Sequence, residues 1–595
     1  MIRYSLLVFG LTVFCVALIW QMGEGEAAQL TDDNPVLWAD TSHINVGGSS
    51  EVAKPTEKGR DTFFKDVRSL QRTAYNIRSN YMEEVDTEEI IKAGIRGMLE
   101  DLDRFSVLME KSSYDALMES THGKYEGLGM QIDSRENRIV IISPIEGTPA
   151  YKKGLRAGDI IMSIDGTDTK GMTTTDGAKL MRGTAGTSVL LEIQRSGIAD
   201  VMEFEVERAV IELKSVPYAG VVPGTDIGYV RLSRFAEETS HELREAINKL
   251  SSENISGLVF DLRGNGGGLL DQAKETAELF LKEHSEIVFT RGKYEDSERH
   301  LYSERPPLFP EKPLVILVNE GTASASEIVA GAVQDWDRGV IMGRTTYGKG
   351  LVQQIFPITS DNSLALKLTT ARYFVPSGRC IQRPERQGKD AHTDDEEVMT
   401  DSIETVEKEV YYTNGGRIVY GGGGIVPDIE VEADFYEPIE INLERKSLFF
   451  DFAVDWVSKN PNTEASFTVT DEMVDEFREF IKTRDFDYKT STQVALEDLT
   501  DAVNDEEKLD LFQPVLDSLK GLIAAEKADD FEASRDYIQR AIKREILSSI
   551  YGQRGVYEEL ILKTDPAVIQ AIELLSQPNE YSTLITKGKE EASIN

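Results

Sequence analysis

The sequence predicts a multidomain chain of mixed α+β and α/β type, with a helical arm, a β-rich module, an α/β core and a helical extension in that order. Three observations predict it. The 595 residues exceed a single domain on a scale of ~100–200 residues per domain. The hydrophobic period changes along the chain: helical spacing, then short β-patterns broken by glycine, then strands alternating with helices, then helical spacing again. Finally, continuous apolar runs such as Leu314–Val318 are each followed by a helix, as strands buried on both faces are.

Each segment has its own warrant. In residues 1–28, Arg3 precedes the apolar run Ser5–Trp20, and Gly25–Ala28 offer small residues for cleavage. The run is short for a bilayer span of ~20 apolar residues, so it reads as a cleaved signal peptide. A membrane anchor is the alternative, because Glu24 and Glu26 make the cleavage site imperfect. Either way the expected location is exported, periplasmic or cell-envelope. Cys15 follows Phe14, a poor lipid-attachment context; without the leader Cys380 is the only cysteine, so the core must be stable by packing, without an internal disulfide. Residues 29–60, polar and rich in Gly, Ser, Asp and Thr, read as a flexible tether.

Residues 61–118 read as a packing or dimerising helical arm, on the spacing of Phe63, Val67, Leu70, Ala74 and Ile77 and then Ile91, Ile95, Met98, Leu99 and Leu102. Residues 119–213 form the β-rich module, with strands at Ile139–Ile142, Ile160–Ile164, Ser188–Gln194 and Met202–Val206 and a helix near Thr175–Met181. Residues 214–435 form the α/β core; Leu258–Asp261 and Leu314–Val318 are buried strands, and Ser363–Tyr373 makes a hairpin with Val352–Ile358. Asp394–Glu409 reads as an acidic surface insertion. Residues 436–595 are helical and acidic, striped by Met473, Val474, Phe477, Phe480 and Ile481, and by Tyr537, Ile538, Ile542, Ile546 and Ile550. Gly552 can stop the second of these helices, and Asp565-Pro566 is an N-cap and first-turn pair. This region carries no recognisable chemistry and reads as a packing or regulatory extension.

A formal charge of −39 excludes nucleic acid as a partner, because backbone binding needs clustered Lys and Arg. The six histidines are scattered and none forms H-E-x-x-H, so no metal or other cofactor is expected.

The chemistry concentrates between Gly321 and Gln354, a stretch without histidine. Ser324 lies where the strand Leu314–Val318 leads into a helix, beside free backbone N–H groups and the positive end of the helix dipole. The N–H of Ala325 is set to face a developing oxyanion. The competing reading is an N-cap serine, with Glu327 completing a capping box. Lys349 sits between Gly348 and Gly350, and a buried lysine can replace histidine as base because desolvation lowers an amine pKa. The competing reading is an exposed loop lysine. Gln353 is in reach to orient it. Asp261–Gly268 reads as a glycine-rich loop whose N–H groups either complete an oxyanion hole or hold a phosphate, although G-x-G-x-x-G is lacking.

Taken together these motifs resemble the carboxyl-terminal processing peptidases, or tail-specific proteases, over roughly residues 61–435. Leu102-Asp103-Arg104-Phe105-Ser106 resembles that family's LDPYS element, with Arg104 and Phe105 in place of Pro and Tyr. Gly127-Leu128-Gly129-Met130 resembles the carboxylate-binding loop of a PDZ domain, and Ser143–Ala150 and Gly154–Asp159 continue the match. Asp261–Gly268, Ser324–Glu327, Tyr347–Gly350 and Pro376–Arg379 resemble its protease core, with Cys380 where the family often has a small polar residue. The resemblance implies a PDZ module followed by a crotonase-like α/β protease core. It implies Ser324 as nucleophile, Lys349 as general base and Gln353 as its orienter, with an oxyanion hole from Ala325, Gly267 and Gly268. Substrates would be proteins with free, apolar C-termini, their carboxylate held by Gly127, Leu128, Gly129 and Met130, and Arg182 would couple tail binding to the active site. It further implies a homodimer through the arm. The N-terminal segment on its own predicts membrane proximity, and a separate reading gives the C-terminal helices a structural role in docking to an envelope adaptor, compatible with proteolysis. A PDZ scaffold with a decayed core would predict loss of Ser324 or Lys349, and both are present. A hydratase-like acyl-CoA enzyme would share the core fold but leave the PDZ-like module, the leader and the Ser/Lys pair unexplained.

Overall fold

A computed structural model describes residues 57–294, 298–384, 409–432, 436–505 and 508–592. The leader, nearly all of the tether and residues 394–408 of the acidic insertion lie outside the described residues, as do His43 and His392.

The core is a six-stranded sheet in the order Tyr218–Val221, Ile227–Arg231, Gly257–Asp261, Leu314–Val318, Val340–Gly343 and Ile429–Glu430. The first pair is antiparallel and the others are parallel. Its central strands read as unbroken apolar runs because both faces are covered. All five side chains of Leu314–Val318 are fully buried, and strand alternation divides them between two layers. Leu314, Ile316 and Val318 join the cluster that includes Leu243 and Ile247, Ala273 and Ala277, and Ile328, Val329 and Val333, from the helices Thr239–Ser252, Leu270–Glu278 and Ala325–Asp335. Val315 and Leu317 face the other way, onto Ala567, Val568, Ala571, Leu574 and Leu575 of the helix Pro566–Leu575. One helical layer over this central sheet is thus supplied by the extension. Tyr581 completes it: Leu314 N–H donates to its hydroxyl at 2.9 Å, and that hydroxyl lies 3.0 Å from the Leu314 carbonyl.

A second sheet holds Leu364–Phe374 at its centre, with Leu351–Pro357 as the expected hairpin partner and Glu286–Gly292 and Arg299–Tyr302 beyond. Its remaining strand, Val107–Glu110, corrects the all-helical reading of residues 61–118. The arm is helical at Glu57–Asn80, Thr87–Glu100 and Lys111–His122, but the short run Val107-Leu108-Met109 finds an antiparallel partner in Ala365–Lys367. Pairing with an existing strand outweighs helical spacing over so few residues.

The β-rich module is a sheet in the order Met130–Arg135, Arg138–Pro144, Ile160–Ile164, Ser188–Gln194 and Met202–Glu207, with the helix Thr174–Met181 capped by Thr173. Met130–Arg135 is an edge strand. The extension packs against this module too. Arg135 lies 4.4 Å from the Phe450 ring centroid and pairs with Asp451 at 3.3 Å. A Cβ on Gly158, whose φ is +82°, would lie 2.3 Å from Val454, so only glycine permits that approach. The extension has its own core around Phe449, Phe452, Phe477 and Ile542. Gly552 does break helical geometry (φ 63°, ψ −164°), and Asp565 caps the helix Pro566–Leu575 through the N–H groups of Ala567 and Val568.

Leu575→Ala would therefore destabilise the central sheet domain itself by roughly 2–5 kcal/mol. Urea unfolding in a Ser324→Ala background, followed by probes in the core sheet, should show the lower midpoint.

Candidate active site

Ser324 stands at the turn between the strand Leu314–Val318 and the helix Ala325–Asp335, with φ 55° and ψ −115°. A non-glycine residue is held in such a region only when its surroundings demand it, and this strand–turn–helix geometry presents a serine hydroxyl at the sheet end. The expected capping box is present: Ser324 is the N-cap of its helix, and the Glu327 carboxylate takes the Ser324 N–H at 2.8 Å. The Glu327 N–H also reaches the Ser324 carbonyl, at 2.9 Å.

Glu327 does more than cap. It is fully buried, and its two oxygens accept four hydrogen bonds. Oε2 takes the N–H of Ser324 at 2.8 Å and of Lys349 at 2.9 Å; Oε1 takes the N–H of Gly348 at 2.7 Å and the Thr346 hydroxyl. One oxygen therefore bridges the backbones of the serine and the lysine. Burial raises the Glu327 pKa, while those four donors oppose the rise. From the other side the Tyr373 hydroxyl contacts the carbonyls of the same two residues, at 3.0 Å for Ser324 and closely for Lys349. Burial pushes the Tyr373 pKa well up, so it remains a neutral donor.

The Lys349 ammonium lies in a pocket built largely by the LDRFS element. Its Nζ is 4.9 Å from the Phe105 ring centroid and donates to Gln353 Oε1 at 3.3 Å. Gln353 is oriented in turn, because its Nε2 donates to the Phe105 carbonyl at 2.8 Å. Arg104, where the family pattern has proline, donates to the Tyr347 hydroxyl at 2.7 Å and so ties the arm to the lysine loop. Desolvation, and next the like charge of Lys367, lower the Lys349 pKa to about 8, with Glu327 acting against them. The exposed-lysine reading is thereby replaced by a partly buried amine that is about half neutral near pH 8 and still mostly protonated at pH 7.

The glycine-rich loop meets the serine directly. A Cβ on Gly267 would lie 2.8 Å from Ser324 Cβ and 2.9 Å from Ala325 N, so this glycine (φ 97°) is required by close approach. Its own N–H is already used, donating to Asn265 Oδ1 at 3.0 Å. The assignment of Gly267 as an oxyanion donor is thus corrected, because Asn265 satisfies it to shape the turn. Gly268 and Ala325, like Gly266 earlier in the loop, carry N–H groups for which no acceptor is found among the described residues.

Gly127–Met130 lie at the start of the edge strand Met130–Arg135, beside the helix Thr174–Met181. Gly129 has φ +79°, and a Cβ there would collide with Thr148 at 2.3 Å. Thr148 in turn donates to the Gly129 carbonyl at 2.8 Å. An edge strand next to such a loop suits the addition of an extended peptide as a further strand. Arg182 is not brought to the serine: it pairs with Glu119 of the arm at 2.6 Å and lies over the Tyr125 ring. Sequence reasoning missed Tyr373, Lys367 and Thr346 altogether and saw in Glu327 only a capping partner. The S-x-x-E spacing was the one available signal.

The family model "Peptidase family S41" matches residues 226–390, "PDZ domain" matches 140–195, and "Probable PDZ-protease, C-terminal helical domain" matches 439–575. The chain is 42% identical over 331 residues to a carboxy-terminal-processing protease of Bartonella bacilliformis, covering 55% of this chain and 75% of that one. It is 31% identical over 339 residues to the carboxy-terminal processing protease CtpA of Bacillus subtilis, covering 57% and 71%. Among solved structures, a photosystem II D1 C-terminal processing protease aligns at 31% identity over 54% of this chain and 89% of that one, with a TM-score of 0.32.

Two outcomes follow from the electrostatics. Glu327→Gln should lower stability by roughly 1–3 kcal/mol, since its amide sets a donor against N–H groups that need an acceptor; thermal melts would measure it, with peptidase turnover falling in parallel. Lys367→Met removes a like charge, so the Lys349 pKa should rise, and the acid limb of the activity profile should shift upward from its midpoint at about 8.

Proposed function

The chain belongs to the carboxy-terminal processing proteases and is a serine-type peptidase with a PDZ domain; from that premise we propose that it cleaves proteins captured by their C-terminal tails, using Ser324 as nucleophile and Lys349 as general base. The observation that carries the dyad is the shared Glu327 oxygen, which bonds the backbone N–H of both residues.

The mechanism follows from these groups. An extended tail adds to the edge strand Met130–Arg135, its carboxylate taking N–H groups of the Gly127–Met130 loop. Neutral Lys349 accepts the Ser324 proton as Oγ bonds to the scissile carbonyl carbon. The oxyanion is stabilised by the N–H groups of Ala325 and Gly268. The lysine ammonium then gives its proton to the departing amine as the C–N bond breaks, leaving an acyl-serine. Water, deprotonated by Lys349, releases the acyl group and restores the hydroxyl. Gln353 holds the amine in place throughout.

Two further proposals concern setting. Export is supported by Arg3 and the apolar run Ser5–Trp20. A homodimer through the arm is supported by its exposed Phe63, Leu70 and Tyr75, apolar groups on one long helix.

The decisive test is proteolysis of a loosely folded protein bearing either an apolar or a charged C-terminus. Ser324→Ala and Lys349→Ala should each lose at least ~10³-fold of the turnover, and the charged tail should be cut more slowly by the unaltered enzyme. Equal cleavage by either variant would overturn the dyad.

A further inference from the structure

The loop carrying Gly267 and Gly268 begins at Arg263, whose guanidinium is held from opposite ends. On one side Nη2 pairs with Asp261 at 2.8 Å and Nε reaches the same carboxylate at 3.1 Å. On the other, Nη1 lies 2.9 Å from one oxygen of Asp565 and 3.1 Å from the second. Asp565 is distant in sequence and belongs to the helical extension, where it caps the helix Pro566–Leu575.

The charges in this cluster balance only with Asp565 present. Arg231 also pairs with Asp261, at 2.9 Å, and the Tyr229 hydroxyl donates to Asp261 at 2.7 Å. Two guanidinium groups thus face two carboxylates. The side chains of Arg231, Arg263 and Asp565 are 19%, 23% and 22% exposed and that of Asp261 3%, so losing one anion leaves an excess positive charge with little solvent to screen it.

Between Arg263 and the serine the loop is continuous and tight. The Gly264 N–H donates to Asn319 Oδ1 at 2.7 Å. Asn265 is fully buried; its carbonyl accepts from the Ser326 hydroxyl at 2.9 Å and the Ala323 N–H at 3.0 Å, and its side chain takes the Gly267 N–H. A shift at Arg263 is therefore passed to Gly267 and Gly268 against the Ser324 turn, where there is no slack.

We propose that Asp565 is a positioning residue for the oxyanion loop: through Arg263 it fixes the Gly268 N–H relative to Ser324. This deepens, and rests on, the reading of Ser324, Ala325 and Gly268 given above. The helical extension then serves turnover directly, and its helix Pro566–Leu575 is part of the catalytic scaffold.

The test uses the full chain carrying Asp565→Asn. Asparagine is as good an N-cap as aspartate, so the helix start is kept while the charge is lost. Turnover of a quenched peptide with an apolar tail should lose about 10-fold in kcat, less than the ~10²–10³-fold that follows deletion of an oxyanion donor. KM and the Kd for an uncleaved tail peptide should be unchanged. Affinity for a peptide aldehyde, whose serine adduct carries the oxyanion, should fall in step with kcat. Asp565→Ser, which also caps but cannot reach Arg263, should behave alike and serves if the asparagine variant does not fold. Unchanged kcat in either folded variant overturns the proposal, as does a loss shared equally by tail-peptide affinity and melting temperature. Ser324→Ala is run alongside: if it is inactive while Asp565→Asn keeps full kcat, only this proposal fails, whereas turnover by Ser324→Ala would sink the assignment of the site.

Discussion

A buried carboxylate with four donors is the constraint on which this active site depends. Glu327 lies on the first turn of the serine's helix, yet all four of its bonds reach beyond that helix: to the Ser324, Gly348 and Lys349 N–H groups and the Thr346 hydroxyl. A charge in that position is costly unless nearly every lone pair is used. Here that requirement becomes a positional one. The turn with φ 55° and the loop bearing Lys349 must both be in place for the carboxylate to be satisfied, so folding the core and assembling the pair are the same event.

The electrostatic setting follows from the same economy of space. Lys349 is denied bulk water by Phe105 and denied a close carboxylate contact for its amine, because Glu327 spends its oxygens on backbone N–H groups. Among the described residues its amine has only a neutral amide, Gln353, as hydrogen-bond partner. A carboxylate at that point would have raised the pKa; an amide orients the amine without holding its proton. Arg104, which departs from the family pattern, adds a further positive charge to the pocket wall while bracing Tyr347.

Much of this was legible in the sequence. Strand positions followed from alternation and unbroken apolar runs, and the Asp565-Pro566 cap was readable from residue type alone. Lys349 stood out as a glycine-flanked lysine between apolar strands, with Gln353 four residues on, whereas Ser324 at its strand–helix junction read as readily as an N-cap and was singled out by the family resemblance. What remained hidden was everything fixed by distant parts of the chain. The strand Val107–Glu110 depends on a partner in Leu364–Phe374, Tyr373 acts from the far side of its sheet, and the loss of Gly267 as a donor is decided by the rotamer of Asn265. The second face of the central sheet read in isolation as a buried strand face with no owner, and its owner lies at Pro566–Leu575.

That last feature bears on the timing of maturation. The central sheet gains its second cover only when residues near Tyr581 have been made, whereas Val107–Glu110 must wait for Leu364–Phe374. Segments from both sides of the sequence close on the core, Val107–Glu110 across the intervening PDZ module and Pro566–Leu575 across the rest of the extension. Such non-local pairing folds slowly and leaves apolar surface bare in incomplete chains. A polypeptide interrupted before the helix Pro566–Leu575 would leave Val259, Val315 and Leu317 without that cover. The architecture thereby links a protease's competence to the completion of its own synthesis.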